Sequence, residues 1–233
     1  NAHQISIGRG RTAWDFSGAS HLDELQDRLR STLMLRRLKK DVLAELPAKQ
    51  RQVIELPANG ASTAVSAEMA AVARCSEQLA ALQAAVELAK ASDSDNTYED
   101  AVAALRTGAQ AAFTEMASLR HATAVAKIPY VVAHAQEALE ADEDGKLILF
   151  AHHHDVVHGL QEGLAEYGPV ILTGEISSPV VRQFAVDRFQ TDPACRVFIG
   201  SITAAGVGIT LTASSHVVFA ELSWVCGEIS QAE

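Results

Sequence analysis

The chain has 233 residues, 29 acidic against 19 basic side chains, a formal net charge of -10, and 48% hydrophobic residues in a count that includes 41 alanines. That suffices for one compact domain plus a smaller element. No run approaches the roughly 18 consecutive apolar residues of a membrane span, and no signal-peptide apolar region opens the chain, so neither a membrane partner nor secretion is expected. Cys75, Cys195 and Cys226 are odd in number, far apart and in no C-x-x-C pair. This argues against a disulfide framework and a zinc site, and for a reducing compartment. Because the chain begins at Asn1 and stops at Glu233 inside a helical pattern, it is expected to be a piece of something larger.

Charge is unevenly spread. Residues 1–60 carry 10 basic and 7 acidic groups, residues 61–145 carry 5 and 13, and residues 146–233 carry 4 and 9. The basic concentration is Arg28, Arg30, Arg36, Arg37, Lys39 and Lys40, in a segment where Leu25, Leu29, Leu33 and Met34 recur at helical spacing. It reads either as a solvated helix face or as a contact to phosphate or an acidic partner. Leu46-Pro47 and Leu56-Pro57 bracket a short extended run, Gln52 to Glu55.

Ala61 to Ala91 holds twelve alanines and no Gly or Pro, which makes helix its cheapest conformation. After the polar cluster Ser92 to Thr97, a second helix is predicted over Tyr98 to Ala117. A third runs to Ala141, with Val125, Ile128, Val132, Ala135 and Leu139 as its apolar stripe and Pro129 as a kink. The stripe predicts the seam of a small helical bundle.

Beyond Gly145 the pattern changes to short apolar runs alternating with helices. Leu147 to Phe150, Val170 to Leu172, Val197 to Ile199 and Val217 to Phe219 have the length and content of strands. Between the first two lies a helix with Val156, Val157, Leu160 and Leu164 on one face; between the second and third, one with Val180, Val181, Phe184 and Ala185. Strands separated by helices predict a parallel, doubly wound sheet. The fold class is therefore α/β, a parallel-sheet lobe with a preceding helical, α-rich region, and the expected domains are 1–60, 61–145 and 146–233.

In open parallel sheets ligands gather beyond the carboxyl ends of the strands. Those ends are His152, Thr173 with Gly174 and Glu175, Ser201 to Gly208, and Glu221 with Trp224. The third loop is the densest, since small residues and the close glycines Gly206 and Gly208 let backbone N–H groups approach an anion or nucleotide. It is not G-x-x-x-x-G-K-S/T, and no such phosphate-binding loop occurs in the chain. His152, His153, His154 and His158 invite a metal reading, but no H-E-x-x-H accompanies them, and capping a strand and opening a helix is the favoured reading. No G-x-S-x-G elbow follows a strand, so nucleophilic catalysis has no local support.

Three stretches in this order resemble the Swi/Snf family of helicase-like, DNA-dependent ATPases. Leu33 to Val42 with Leu46 to Lys49 is similar to the junction between the family's two motor lobes. LILFAHHHD, Leu147 to Asp155, resembles motif IV, and Thr173 to Gln190 the conserved block after it. Ser201 to Trp224 resembles motif V and the strand that follows, and Gly227 to Glu233 the opening of motif VI. The wording FAHH and VVFAELSW looks closest to the HepA-related, annealing-helicase branch.

The resemblance implies that residues 146–233 are the second RecA-like lobe of a motor in which ATP, with magnesium, sits between two lobes and double-stranded DNA lies across both. Ser201, Gly206 and Gly208 match the loop that couples nucleotide to DNA. His152, Gly174, Ser177, Ser178 and Thr203 match positions beside the phosphate backbone, and Arg182 matches the arginine of the block after motif IV. Cys226 stands where the family usually has proline, and Ala205 where many members have glycine. The phosphate-binding lysine, the metal-binding acid and the motif VI arginines belong outside this stretch. The parent is therefore expected to be a DNA-dependent ATPase that needs a missing N-terminal RecA-like lobe, with no catalytic residue in this piece and no activity for the piece alone. The implied location is intracellular, a bacterial nucleoid or a nucleus. Two other functions fit the residues: a protein-interaction module built on the alanine-rich bundle, and an α/β nucleotide-cofactor enzyme.

Overall fold

The computed structural model describes residues 3–6, 12–15, 21–35, 49–55, 61–91 and 95–232. Arg36, Arg37, Lys39 and Lys40, most of the junction-like stretch, Leu56-Pro57 and the start of the Ser92 cluster lie outside these residues. The chain divides into two compact units, Asn1–Ile54 and Glu55–Glu233.

In the first unit, β1 (His3–Ser6) and β2 (Thr12–Asp15) form an antiparallel pair with His3 opposite Asp15 and Ser6 opposite Thr12. No strand pattern in the sequence predicts this hairpin. The expected helix follows as α1 (Leu22–Thr32), with Asp23 and Glu24 in its first turn and Arg30 in its last, charges that complement the helix dipole. Arg28 pairs with Glu24 at 2.7 Å, both well exposed, a contact worth only a few tenths of a kcal/mol. Residues 49–55, including the run expected to be extended, carry neither helix nor strand.

In the second unit, the alanine-rich stretch is α2 (Ser62–Lys90). The two helices predicted next are instead one continuous helix of 47 residues, α3 (Asp95–Ala141), with Pro129 inside it. Between Ala117 and Ser118 nothing breaks a helix. Pro129 removes one N–H donor, and the residues around it, Ile128, Val131 and Val132, are held by packing. Arg74 of α2 pairs with Glu115 of α3, and Leu82 meets Gly108, so the two helices run antiparallel as a hairpin. Small buried side chains, Ala71, Cys75 and Ala89 on α2 and Ala112 on α3, bring the backbones close.

The remaining elements are β3 (Leu147–Ala151), α4 (His154–Gly163), a 3-10 turn (Ala165–Tyr167), β4 (Val170–Leu172), α5 (Pro179–Thr191), β5 (Val197–Ser201), α6 (Ile202–Ala205), β6 (His216–Phe219) and α7 (Cys226–Ala232). The four strands form one parallel sheet in the order β4-β5-β3-β6, with Leu149 level with both Ile199 and Val218. Alternation along the strands assigns the two faces. Leu147, Leu149, Ala151, Val197 and Ile199 pack with Val156, Val157 and Leu160 of α4 and with Ala124, Val131, Ala135 and Leu139 of α3. The far half of α3 is thus part of the sheet's core. Gly159 and Gly163 allow that approach, because an added Cβ would lie 2.8 Å from Ile128 and 2.6 Å from Val132.

On the opposite face, Ile148, Phe150 and Phe198 pack with Ala185, Val186 and Phe189 of α5 and with α6. This corrects the expected apolar face of α5: Val180, Val181 and Phe184 are exposed. At about 100° per residue, Val180 and Phe184 lie roughly across the helix from Ala185, Val186 and Phe189.

Candidate functional site at the carboxyl edge of the sheet

Because all four strands are parallel, their exits stand on one edge. At the β5 exit, Ser201 is buried and its hydroxyl lies 3.1 Å from that of exposed Thr203. Gly200, just before it, is closed in by Ala205 and by the rings of Phe150 and Phe198. The Gly206 N–H donates to Ile202 O at 2.9 Å, ending the single turn of α6. Gly208 has φ +80 and open space around it, the backbone geometry that favours glycine. Of the three residues matched to nucleotide coupling, Gly208 is exposed, whereas Ser201 and Gly206 are buried and shape the loop from within.

At the β4 exit, Thr173 is buried, and Gly174, Ser177 and Ser178 are exposed ahead of α5. Ser178 caps α5 by position, without a side-chain bond, and Pro179 follows at the first turn. Arg182 donates to Ile176 O at 3.4 Å and also to Ala204 O. Its guanidinium therefore ties the β4 loop to α6.

The β3 and β6 exits are joined by Glu221, which the sequence placed at a strand end without assigning it a role. Its Oε2 accepts the N–H of His152 at 2.7 Å and of His153 at 2.9 Å, and Oε1 lies 2.6 Å from His153 Nδ1. Burial alone would raise the Glu221 pKa, but these hydrogen bonds outweigh it and hold the carboxyl below its ordinary range. His153 stacks on His121 of α3, ring centres 4.1 Å apart, and His121 Nε2 lies 2.7 Å from Asp155 Oδ2. Desolvation opposes, but the His121 contact prevails and lowers the Asp155 pKa. Lys127 of α3 donates to Ala220 O at 2.9 Å, and burial, partly offset by Glu221, lowers its pKa. Arg120 donates to Leu222 O at 3.0 Å with its guanidinium 4.2 Å from the Trp224 ring centre. The hydrogen-bonded partners among these lie 34 to 102 residues apart in sequence, so spacing carried no signal for them.

The edge offers hydroxyls and backbone groups to an anion. Arg120, Lys127 and Arg182 already bind backbone carbonyls. Among the described residues no cluster of three or more His, Cys, Asp or Glu is arranged to hold a metal, and His154 faces Glu175 at 3.3 Å. The residues present do not by themselves fit a magnesium nucleotide. Among the described residues, no helix is long and apolar enough to cross a membrane.

Fold and edge together define an α/β parallel-sheet lobe with the far half of the long helix α3 built into its core. No family model matches the chain. Over 221 residues, 94% of this chain, it is 34% identical to the SWI/SNF-related matrix-associated actin-dependent regulator of chromatin subfamily A-like protein 1 of Xenopus tropicalis. Over 241 residues, covering 100% of this chain, it is 36% identical to the human DNA annealing helicase and endonuclease ZRANB3. The chain belongs to the SWI/SNF-related, helicase-like family. It spans about a fifth of the length of these relatives, 21% and 19% respectively. Among solved structures, the C-terminal part of the Fun30 ATPase domain aligns with a TM-score of 0.40 and 26% identity, covering 43% of this chain and 34% of that one.

Proposed function

We propose that residues 146–233 act as the second, RecA-like lobe of an ATP-dependent double-stranded DNA translocase of the annealing-helicase or remodeller type. Residues 1–60 are the lobe junction and 61–145 a helical insertion. The observation that carries the reading is the identity, over the whole chain, to a relative named as a DNA annealing helicase. The common edge of exposed hydroxyls and glycines supports it. Ser201, Gly206 and Gly208 shape the loop that couples nucleotide to DNA. His152, Gly174, Ser177, Ser178 and Thr203 face the phosphate backbone, and Arg182 positions two of these loops. ATP and magnesium act in the whole motor, with the first RecA-like lobe as partner and an intracellular location beside chromosomal DNA.

The acidic balance of this lobe suits a minor share of DNA affinity, since phosphate neutralisation rests on Lys and Arg. The test is ATP turnover. The 233-residue chain alone is expected to show none with or without duplex DNA, and the motor containing both lobes a DNA-stimulated rate. In that motor, replacing Ser177, Ser178 and Thr203 together by alanine should raise the DNA concentration for half-maximal stimulation about tenfold. DNA-stimulated turnover by the chain alone overturns the reading.

A further inference from the structure

Three consecutive residues at the β6 exit are each bound to another element. The outer two, Ala220 and Leu222, give their carbonyls to Lys127 and Arg120 of α3. The middle one, Glu221, turns its carboxylate to the β3 exit and accepts the N–H groups of His152 and His153. Glu221 is only 6% exposed, and a carboxylate so buried is stable only while its oxygens are occupied. The β3 exit therefore cannot shift relative to β6 without stranding that charge. His153 extends the connection, since its ring bonds Glu221 on one side and stacks on His121 of α3. The His152 ring makes no hydrogen bond through its buried Nδ1 and packs edge-on against the His153 ring, ring centres 5.0 Å apart. Glu221 therefore places His152 twice, through its backbone N–H and through the His153 ring that it holds.

We propose that Glu221 is a positioning residue that holds His152 at the sheet edge in register with the helical hairpin, so that α3 governs how this edge meets a phosphate backbone. The DNA half of this proposal rests on the function proposed above; the bracing half stands on the contacts alone. A carboxylate that only stabilised the fold would, on replacement, loosen the whole sheet. A positioning carboxylate releases the two amides it holds and shifts DNA response apart from maximal rate.

Amide hydrogen exchange on the full chain tests the bracing. In Glu221→Gln, the amides of His152 and His153 should exchange about tenfold faster while those of Ile148 and Leu149 stay within about twofold. His121→Ala, a milder change on α3, should speed exchange at His153 about threefold. Unchanged exchange at His152 and His153, or equal acceleration along β3, overturns the proposal. In the motor with both lobes, Glu221→Gln should raise the DNA concentration for half-maximal stimulation about fivefold with turnover at saturating DNA within about twofold, and Glu221→Asp should recover part of the loss. An equal fall in turnover at every DNA concentration overturns the positioning role. If the unmodified motor turns over ATP without any response to DNA, the proposed function fails and the exchange result still decides the bracing.

Discussion

Arg196, which leads into β5, donates to the carbonyl of Leu139 at 2.7 Å across 57 residues of sequence. The same side chain reaches Asp142 O at 2.6 Å and Gly145 O at 3.0 Å. The last carbonyls of a helix have no partner within it, and here one guanidinium closes the end of α3 and the turn that leads into β3. Helical hairpin and sheet are fastened at this point.

Arg196→Ala should therefore destabilise the chain by about 2–3 kcal/mol, measured by urea unfolding. Arg196→Lys should recover less than half, since a single ammonium cannot replace the planar fork. A loss below about 0.5 kcal/mol would show that water caps the helix equally well.

The three glycines proposed at the edge should respond differently to alanine. Gly174 has nothing within 4 Å of an added Cβ, and its replacement should change stability by under about 0.5 kcal/mol. Gly208 has open space but φ +80, and strain there should cost about 1–2 kcal/mol. At Gly206 the Cβ would sit 2.4 Å from the backbone oxygen of Ile202, so the turn itself must move, at about 2–3 kcal/mol. Thermal unfolding of the three variants checks the order.

Glu221 makes stability depend on pH with a definite sign. Its folded pKa is depressed, so in the acid range the unfolded chain binds more protons and stability rises with pH. The contribution is present above the ordinary glutamate range and lost as pH falls through the lower folded value. Urea midpoints measured downward from pH 6 should fall more steeply for the wild type than for Glu221→Gln. Parallel curves would contradict this.

Thiol reactivity should separate the three cysteines. Cys226 is exposed, whereas Cys75 and Cys195 are buried, and burial raises the Cys195 pKa, which removes its reactive thiolate. A thiol-specific dye should label Cys226 rapidly in the native chain and reach the other two only on unfolding. Rapid labelling of Cys195 in the native state would mean that the turn leading into β5 opens.

The four strands were legible because each is a short apolar run with β-branched or aromatic residues, and β4 came out with the same ends, Val170 and Leu172. The first long helix was legible from alanine content, and α2 differs from it by a residue at each end. The single α3 was not: two helices were expected, meeting at Ala117 where nothing local marks a break, and Pro129 was expected as a kink, whereas Gly159 and Gly163 of α4 receive the side chains of one continuous helix on either side of that proline. The loops of the candidate edge were found from strand ends alone. Their division into exposed and buried members was not, since Ser201 and Gly206 differ from Thr203 and Gly208 only in what packs on them. The outward face of α5 misled for the same reason: Val180 and Phe184 are as apolar as Phe189 but point away from the sheet.

By itself the sequence determined the family and the parallel α/β class, and it singled out the candidate edge from the strand ends. Those depend on local periodicity, chain order and motifs a few residues long. Only the tertiary structure decided that Glu221 binds His152 and His153, that Lys127 and Arg120 grip the residues beside it, and that Arg196 closes a helix ending 55 residues earlier. Buried polar groups must find partners wherever the fold brings them, and the fold brings them from elements whose separation in the chain carries no trace of their contact.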